Sequence, residues 1–311
     1  MKKLVTLLVF MLAIASGCNG QDAERADGTA VQSSTDQERS SPDQSVPEPD
    51  SLTLRLFEET MAFARENSLD ERPVGEIMVT LGERFSQSPY AAGMLDEPDT
   101  EKLICRLDAF DCVTFVEATL AMARTIKNHD YDYTTYANHI RDQRYRGGAM
   151  DGYCSRLHYF TEWIADNERR GNVENVTREV GGERYDKEIS FMSEHRESYP
   201  RFAKDDSLYS CILNAEDRLQ DMELFYIPQE RIVEAYAELE PGDIIATATH
   251  IKGLDVTHTG LVYDNSDGTR GLLHASTSGG VKVSPDLQSY VQGVDATIGI
   301  IVARPLEPAG S

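Results

Sequence analysis

The apolar spacing of the chain changes period along its length, and that change limits the folds open to it. Residues 52–67 place Leu54, Leu56, Phe57, Met61, Phe63 and Ala64 at intervals that suit one helix face. The spacing predicts a second short helix over 74–85. Val113, Val116 and Leu120, with Phe115, Met122 and Ile126, then predict a helix buried on most sides. Asp111 is a residue type that caps helix starts, so this helix is expected to begin at Cys112, give or take a residue. After Pro241-Gly242-Asp243 the character changes. Segments 244–248, 257–263, 271–275, 281–283 and 297–303 read as short strands, with turn clusters at Asn265-Ser266-Asp267-Gly268 and Gly279-Gly280. Helices first and antiparallel strands later predict an α+β domain. The block at about 130–240 mixes helical stretches and loops, with a helix expected over 154–167, and reads as a mostly helical insertion.

The ends bound the compartment. Lys2 and Lys3 precede an uncharged apolar run over 4–14, too short for the roughly 20 residues of a spanning helix. This is the pattern of a secretory signal. It ends in Ala15-Ser16-Gly17-Cys18, which resembles the lipobox of bacterial lipoproteins. The resemblance implies a signal peptide over 1–17 and lipidation of Cys18, whose two or three acyl chains would anchor the protein stably. The expected place is therefore the cell envelope, on the periplasmic side or in the outer membrane. Residues 18–50 are then the lipidated cysteine and a disordered tether, too poor in large apolar side chains to offset ordering entropy. Residues 51–311 remain for one domain with its insertion.

The formal net charge is −23, and about −19 of it falls in the folded part. Such a surface repels nucleic acid and anionic lipid at long range, which excludes DNA binding as a main function. Of the five cysteines, Cys105, Cys112, Cys154 and Cys211 lie beyond the lipidation site. In an oxidising compartment their even number allows two bridges. If Cys112 stays a thiolate, at most one forms, and the sequence does not say which.

A cysteine nucleophile needs its thiolate favoured, which a helix start helps to do. It also needs a histidine to move the proton and a third polar group to orient that histidine. Cys112 supplies the first part. His258 lies in the strand at 257–263 and His274 in the next, and a hairpin around 265–268 sets residues near 274–277 opposite His258. Whether both histidines share a face depends on the loop register.

Phe110-Asp111-Cys112-Val113-Thr114-Phe115-Val116 resembles the nucleophile motif of NlpC-type cell-wall cysteine hydrolases. Pro241-Gly242-Asp243-Ile244-Ile245, Val256-Thr257-His258-Thr259-Gly260-Leu261-Val262 and Leu273-His274-Ala275-Ser276 resemble their later strands. Pro89-Tyr90 with Gly93 resembles the aromatic and glycine ahead of the cysteine. Thr114 followed by Phe115-Val116-Glu117, which departs from the commoner Ser-Gly-Phe, with Ser155-Arg156-Leu157-His158-Tyr159-Phe160-Thr161-Glu162-Trp163-Ile164 between the blocks, resembles the N-acetylmuramoyl-L-alanine amidase-like branch. The resemblance implies a papain-like core with the nucleophile's helix packed on the antiparallel sheet. It implies Cys112 as nucleophile, His258 as base, His274 as orienter and Tyr90 near the oxyanion or groove. It also implies cleavage between muramic acid, in some cases its 1,6-anhydro form, and L-alanine of muropeptides.

Arg156, His158 and Tyr159 read either as a half-packed helix face or as a substrate wall, where Arg156 would meet a substrate carboxylate. No metal, nucleotide or redox cofactor is implied. Two rivals stand beside the amidase: the same machinery cutting after γ-D-glutamate in the stem peptide, and a non-catalytic lipoprotein that binds muropeptides.

Overall fold

A computed structural model describes residues 45–309. The expected signal, Cys18 and the tether up to 44 lie outside the described residues. Nine α-helices are present among them: α1 (Ser51–Glu66), α2 (Val74–Arg84), α3 (Cys112–Lys127), α4 (Tyr133–Arg144), α5 (Phe160–Arg169), α6 (Phe191–Glu194), α7 (Pro200–Lys204), α8 (Asp206–Gln220) and α9 (Leu287–Gln292). The strands are β1 (Val173–Asn175), β2 (Glu183–Arg184), β3 (Phe225–Pro228), β4 (Ile244–Thr249), β5 (Val256–Asp264), β6 (Arg270–Ser276), β7 (Gly280–Ser284) and β8 (Thr297–Pro305). They form one sheet in the order β2-β3-β8-β4-β5-β6-β7, and β1 also pairs with β8. Every pairing is antiparallel.

Alternation along the strands builds two cores, because successive side chains point to opposite faces. Ala246, Leu261, Leu273 and Ile301 pack with the helical residues Leu81, Phe115 and Leu120. Their neighbours Ile245, Val262, Leu272 and Val302 pack with Leu287 and Val291 of α9. The helix α3 lies between α2, α4 and the sheet, and is buried continuously from Thr114 through Ala123. Its start is fixed by a reciprocal cap. Asp111 Oδ1 accepts from the Thr114 N–H at 2.8 Å, and Thr114 Oγ1 accepts from the Asp111 N–H at 2.9 Å. Thr114, which departs from the commoner motif, is thus the third helical residue of a capping box.

The middle block differs from the expectation in two ways. The helix expected over 154–167 is a single 3-10 turn at Tyr153–Ser155, then an extended stretch, then α5 from Phe160. Arg156 bridges antiparallel to Tyr145 in that stretch, and this pairing of two segments wins over local apolar spacing. The block, expected as helical stretches and loops, also supplies three short strands, β1, β2 and β3, of which β1 and β3 pair directly with β8. One disulfide joins Cys154 to Cys211, while Cys105 and Cys112 are free thiols.

Candidate active site

Cys112 is the first residue of α3 and lines a cavity of about 370 Å³ with His258 and Thr259. Burial pushes its thiol pKa up to about 11, and the Asp111 carboxylate adds to the rise. The Thr259 N–H and hydroxyl act in the opposite direction. No hydrogen bond joins the Cys112 sulphur to His258 among the described residues. Burial thus favours the neutral thiol over the thiolate.

His258 and His274 are brought together across β5 and β6, with Nε2 of the first 2.6 Å from Nδ1 of the second. The ladder pairs Leu261 with Leu273, which sets Gly260 rather than His258 opposite His274. A Cβ on Gly260 would lie 2.9 Å from the His274 Cβ, so the missing side chain is what lets His274 lean along the sheet to His258. His274 Nε2 in turn lies 3.0 Å from Ser284 Oγ on β7. Leu272 pairs with Ser284 and His274 with Lys282, so this last contact is a diagonal one on a single face. Burial holds the His258 pKa down to about 4. Burial, then His258 and the Lys282 ammonium, hold His274 down to about 3. Both rings are neutral near pH 7.

Two residues absent from the sequence reading complete the relay. Ser284 closes its far end. Tyr290 on α9 covers it, with ring centroids 4.8 Å from His274 and 6.0 Å from His258. Burial pushes the Tyr290 hydroxyl pKa up to about 12, and a thiolate at Cys112 would add to the rise. Neither position carried a motif, because both reach the site only through sheet and helix packing.

The expected wall residues lie around the cavity, but not as one helix face. Arg156 donates from Nη2 to Asp96 at 2.9 Å and to Glu101 at 3.0 Å, and its guanidinium sits over the Tyr153 ring. A substrate carboxylate would have to compete with both acids. His158 Nε2 donates to the Tyr153 carbonyl at 3.1 Å, and burial, then Arg156, holds its pKa down to about 3. Tyr159 donates its hydroxyl to Glu216 at 2.6 Å and accepts from the Met192 N–H at 2.8 Å, so only its ring is offered to the cavity. Tyr90 bridges to Phe110 just ahead of the cap. Burial, then Cys112 and Asp111, raises its hydroxyl pKa, which places Tyr90 in the field of the thiol.

A family model described as AmiA-like, N-acetylmuramoyl-L-alanine amidase-like, matches residues 80–300. No curated protein matches the chain. Among solved structures, an N-acetylmuramoyl-L-alanine amidase from Bacteroides uniformis is 32% identical at a TM-score of 0.71, over 75% of this chain and 99% of that one. A Bacteroides fragilis protein named as a candidate xylanase is 35% identical at a TM-score of 0.65, over 72% of this chain and 99% of that one. A Legionella pneumophila protein shares the fold at 16% identity and a TM-score of 0.58, over 82% of this chain and 97% of that one.

Proposed function

This chain belongs to the N-acetylmuramoyl-L-alanine amidase-like family of hydrolases, and on that premise we propose that Cys112 attacks the amide between N-acetylmuramic acid and L-alanine in peptidoglycan fragments, the sugar being free or in its 1,6-anhydro form. The observation that carries the cysteine mechanism is the His258–His274 contact at a cavity that also holds the thiol of Cys112. A buried helix starting at a cysteine and packed on an antiparallel sheet that carries the histidines is also the arrangement a papain-like core requires. We take residues 51–311 as one such domain.

The proton bookkeeping follows from the contacts. His258 can be a base at Nδ1 only if Nε2 holds the proton and donates it to His274 Nδ1. His274 is then protonated at Nε2 and donates to Ser284 Oγ. With the thiol pKa high and the imidazole pKa low, the resting pair is thiol and imidazole rather than an ion pair. The Cys112 proton therefore moves to His258 as the sulphur attacks the lactyl carbonyl. An N–H at the start of α3 would serve the developing oxyanion, with the Tyr90 hydroxyl in the field of the thiol. The imidazolium then protonates the leaving L-alanine nitrogen, and water hydrolyses the thioester. Arg156, His158 and Tyr159 shape the groove for the substrate in this reading.

A glycoside hydrolase would need two free carboxyl groups flanking the bond it cuts. The acids at this cavity are engaged. Asp255 accepts from the Thr161 N–H and hydroxyl and from the Val256 N–H. Asp111 caps α3, and Asp96 holds Arg156.

Mass spectrometry of defined muropeptides incubated with the protein tests the proposal. Release of a peptide that begins with L-alanine is expected, and Cys112→Ala should abolish it while far-UV circular dichroism stays unchanged. A shortened stem peptide would replace the amidase by the endopeptidase, and full turnover by Cys112→Ala would end the cysteine assignment. The lipid anchor at Cys18 is proposed separately and is checked by metabolic palmitate labelling, which Cys18→Ser should abolish.

A further inference from the structure

His258 is followed on β5 by a second polar side chain, Thr259, which the motif resemblance does not explain. Thr259 is 1% exposed, and its Oγ1 is buried without a hydrogen-bond partner among the described residues. Folded proteins rarely leave a buried hydroxyl in that state, so a group of this kind calls for a reason. The other threonines of this part of the sheet are paired: Thr247 Oγ1 lies 3.0 Å from Thr257 Oγ1, and Thr249 donates to the Ala296 carbonyl at 2.7 Å.

The backbone explains where the hydroxyl points. Ala246 pairs with Thr259 and Ala248 with Val256, so two residues of β5, Thr257 and His258, face the single Thr247 of β4. That is a β-bulge, a feature that re-aims side chains beside functional sites. With the bulge in place, His258 and Thr259 both reach the cavity that Cys112 lines. Thr259 lines the same cavity as Cys112, and its N–H and hydroxyl are the groups that act against burial to lower the thiol pKa. A neutral thiol sulphur is a weak acceptor, and a thiolate is a strong one. The hydroxyl therefore has little to bond until the proton leaves.

We infer that Thr259 is a built-in donor for the Cys112 thiolate, standing unbonded against the resting thiol and closing a hydrogen bond on the sulphur when His258 takes the proton. The step is a proton transfer only. The S–H proton moves to His258 Nδ1, the electron pair stays on sulphur, and Thr259 O–H donates to it. The same bond lowers the barrier to expelling sulphur when water opens the thioester, since the leaving group is again the thiolate. The inference rests on the proposed role of Cys112 as nucleophile.

An unmade bond in the resting state and a made bond in the reacting state give effects of opposite sign. Thr259→Val keeps the shape and removes the hydroxyl. Its thermal midpoint should equal or exceed that of the wild type. Its Cys112 alkylation by iodoacetamide should show a pH midpoint about one unit higher, or roughly tenfold slower labelling below that midpoint. Thr259→Ser, which keeps the hydroxyl, should retain the wild-type midpoint. Peptide mapping separates Cys112 from the buried Cys105, whose thiol pKa burial pushes up to about 12. Identical alkylation profiles for wild type and Thr259→Val would overturn the inference while leaving Cys112 as nucleophile. Equal slowing in the valine and serine variants would also overturn it, assigning the effect to methyl packing. A wild-type Cys112 that resists alkylation at every pH would strike the nucleophile reading itself.

Discussion

Gly260→Ala tests whether the two histidines work as one unit. An ideal Cβ at this position would lie 2.9 Å from the His274 Cβ, 2.9 Å from Leu272 Cδ1 and 2.9 Å from the Leu273 carbonyl oxygen. The leucine methyl can rotate away, but the carbonyl and the Cβ belong to the facing strand. Relief therefore requires β5 and β6 to separate by a few tenths of an ångström. Overpacking of this kind costs about 1–3 kcal/mol, which a urea titration would read as a lower midpoint at unchanged slope. The 2.6 Å contact between His258 and His274 spans the same gap and lengthens with it. Misplacement approaching 1 Å in a catalytic array can cost about a hundredfold in rate, so a fall in kcat of about ten- to a hundredfold is expected, with KM little changed.

The assay is release of the L-alanine peptide by each member of a double-mutant cycle. If the alanine acts by pushing His274 off His258, Gly260→Ala should add almost nothing to His274→Ala, because the interaction is already gone. Losses that multiply in the double variant, at folding midpoints well above the assay temperature, would refute the coupling and assign Gly260 a separate task.

Three further outcomes are expected. Ser284→Ala removes the acceptor that holds His274 protonated at Nε2. A neutral hydrogen bond is worth about 1 kcal/mol, so kcat should fall about fivefold at constant KM, and nitrogen-15 spectra should show mixed imidazole tautomers; a single unchanged tautomer would contradict the relay. Stability should fall as the pH drops below about 6.5: the folded pKa values of His158, His258 and His274 are held down to about 3, about 4 and about 3, so the unfolded chain takes up protons that the folded one refuses. Each histidine removes up to about 1.4 kcal/mol per pH unit until its folded pKa is reached, and the loss vanishes above the unfolded value; a urea midpoint that stays flat from pH 7 to pH 5 would contradict this. Reducing the Cys154–Cys211 bridge, with its sequence separation of 57, should cost about 4 kcal/mol on chain-entropy grounds. The bridge anchors the turn that carries Tyr153 at the cavity, so KM should rise more than kcat falls, and equal effects on both would argue against that placement.

The parts of the site that were legible share one property: they are local. The cap at Asp111, the helix start at Cys112 and the strands holding His258 and His274 each follow from neighbours a few residues away. The strands β1, β2 and β3 were not legible, because they are two to four residues long and gain strand geometry only from β8 or from each other. Arg156 shows the same limit. It fell within the helix expected over 154–167, yet its partners Asp96 and Glu101 lie 60 and 55 residues away in sequence and hold it in extended chain. Thr259 was visible only as a residue after a histidine, since an unmade hydrogen bond has no sequence signature.

Among the described residues, the side chains behind His258 are His274 and Ser284, with no carboxylate between them, and that shapes the chemistry proposed. A carboxylate partner would favour the imidazolium and with it a standing thiolate. Here His274 is a neutral ring backed by a hydroxyl, and Lys282 disfavours any charge on it. On the proposed mechanism the thiol keeps its proton until a carbonyl is in place, so the thiolate is made during the attack rather than stored. The thiolate is also the form that oxidants and disulfides capture. A protein that keeps Cys154 and Cys211 oxidised while leaving Cys112 reduced needs that distinction. The neutral relay provides it, at the cost of weaker help to the departing proton. The bulge at Thr257 and His258 offsets that cost by setting the Thr259 donor against the sulphur. The restraint and its remedy thus sit on adjacent residues of one strand.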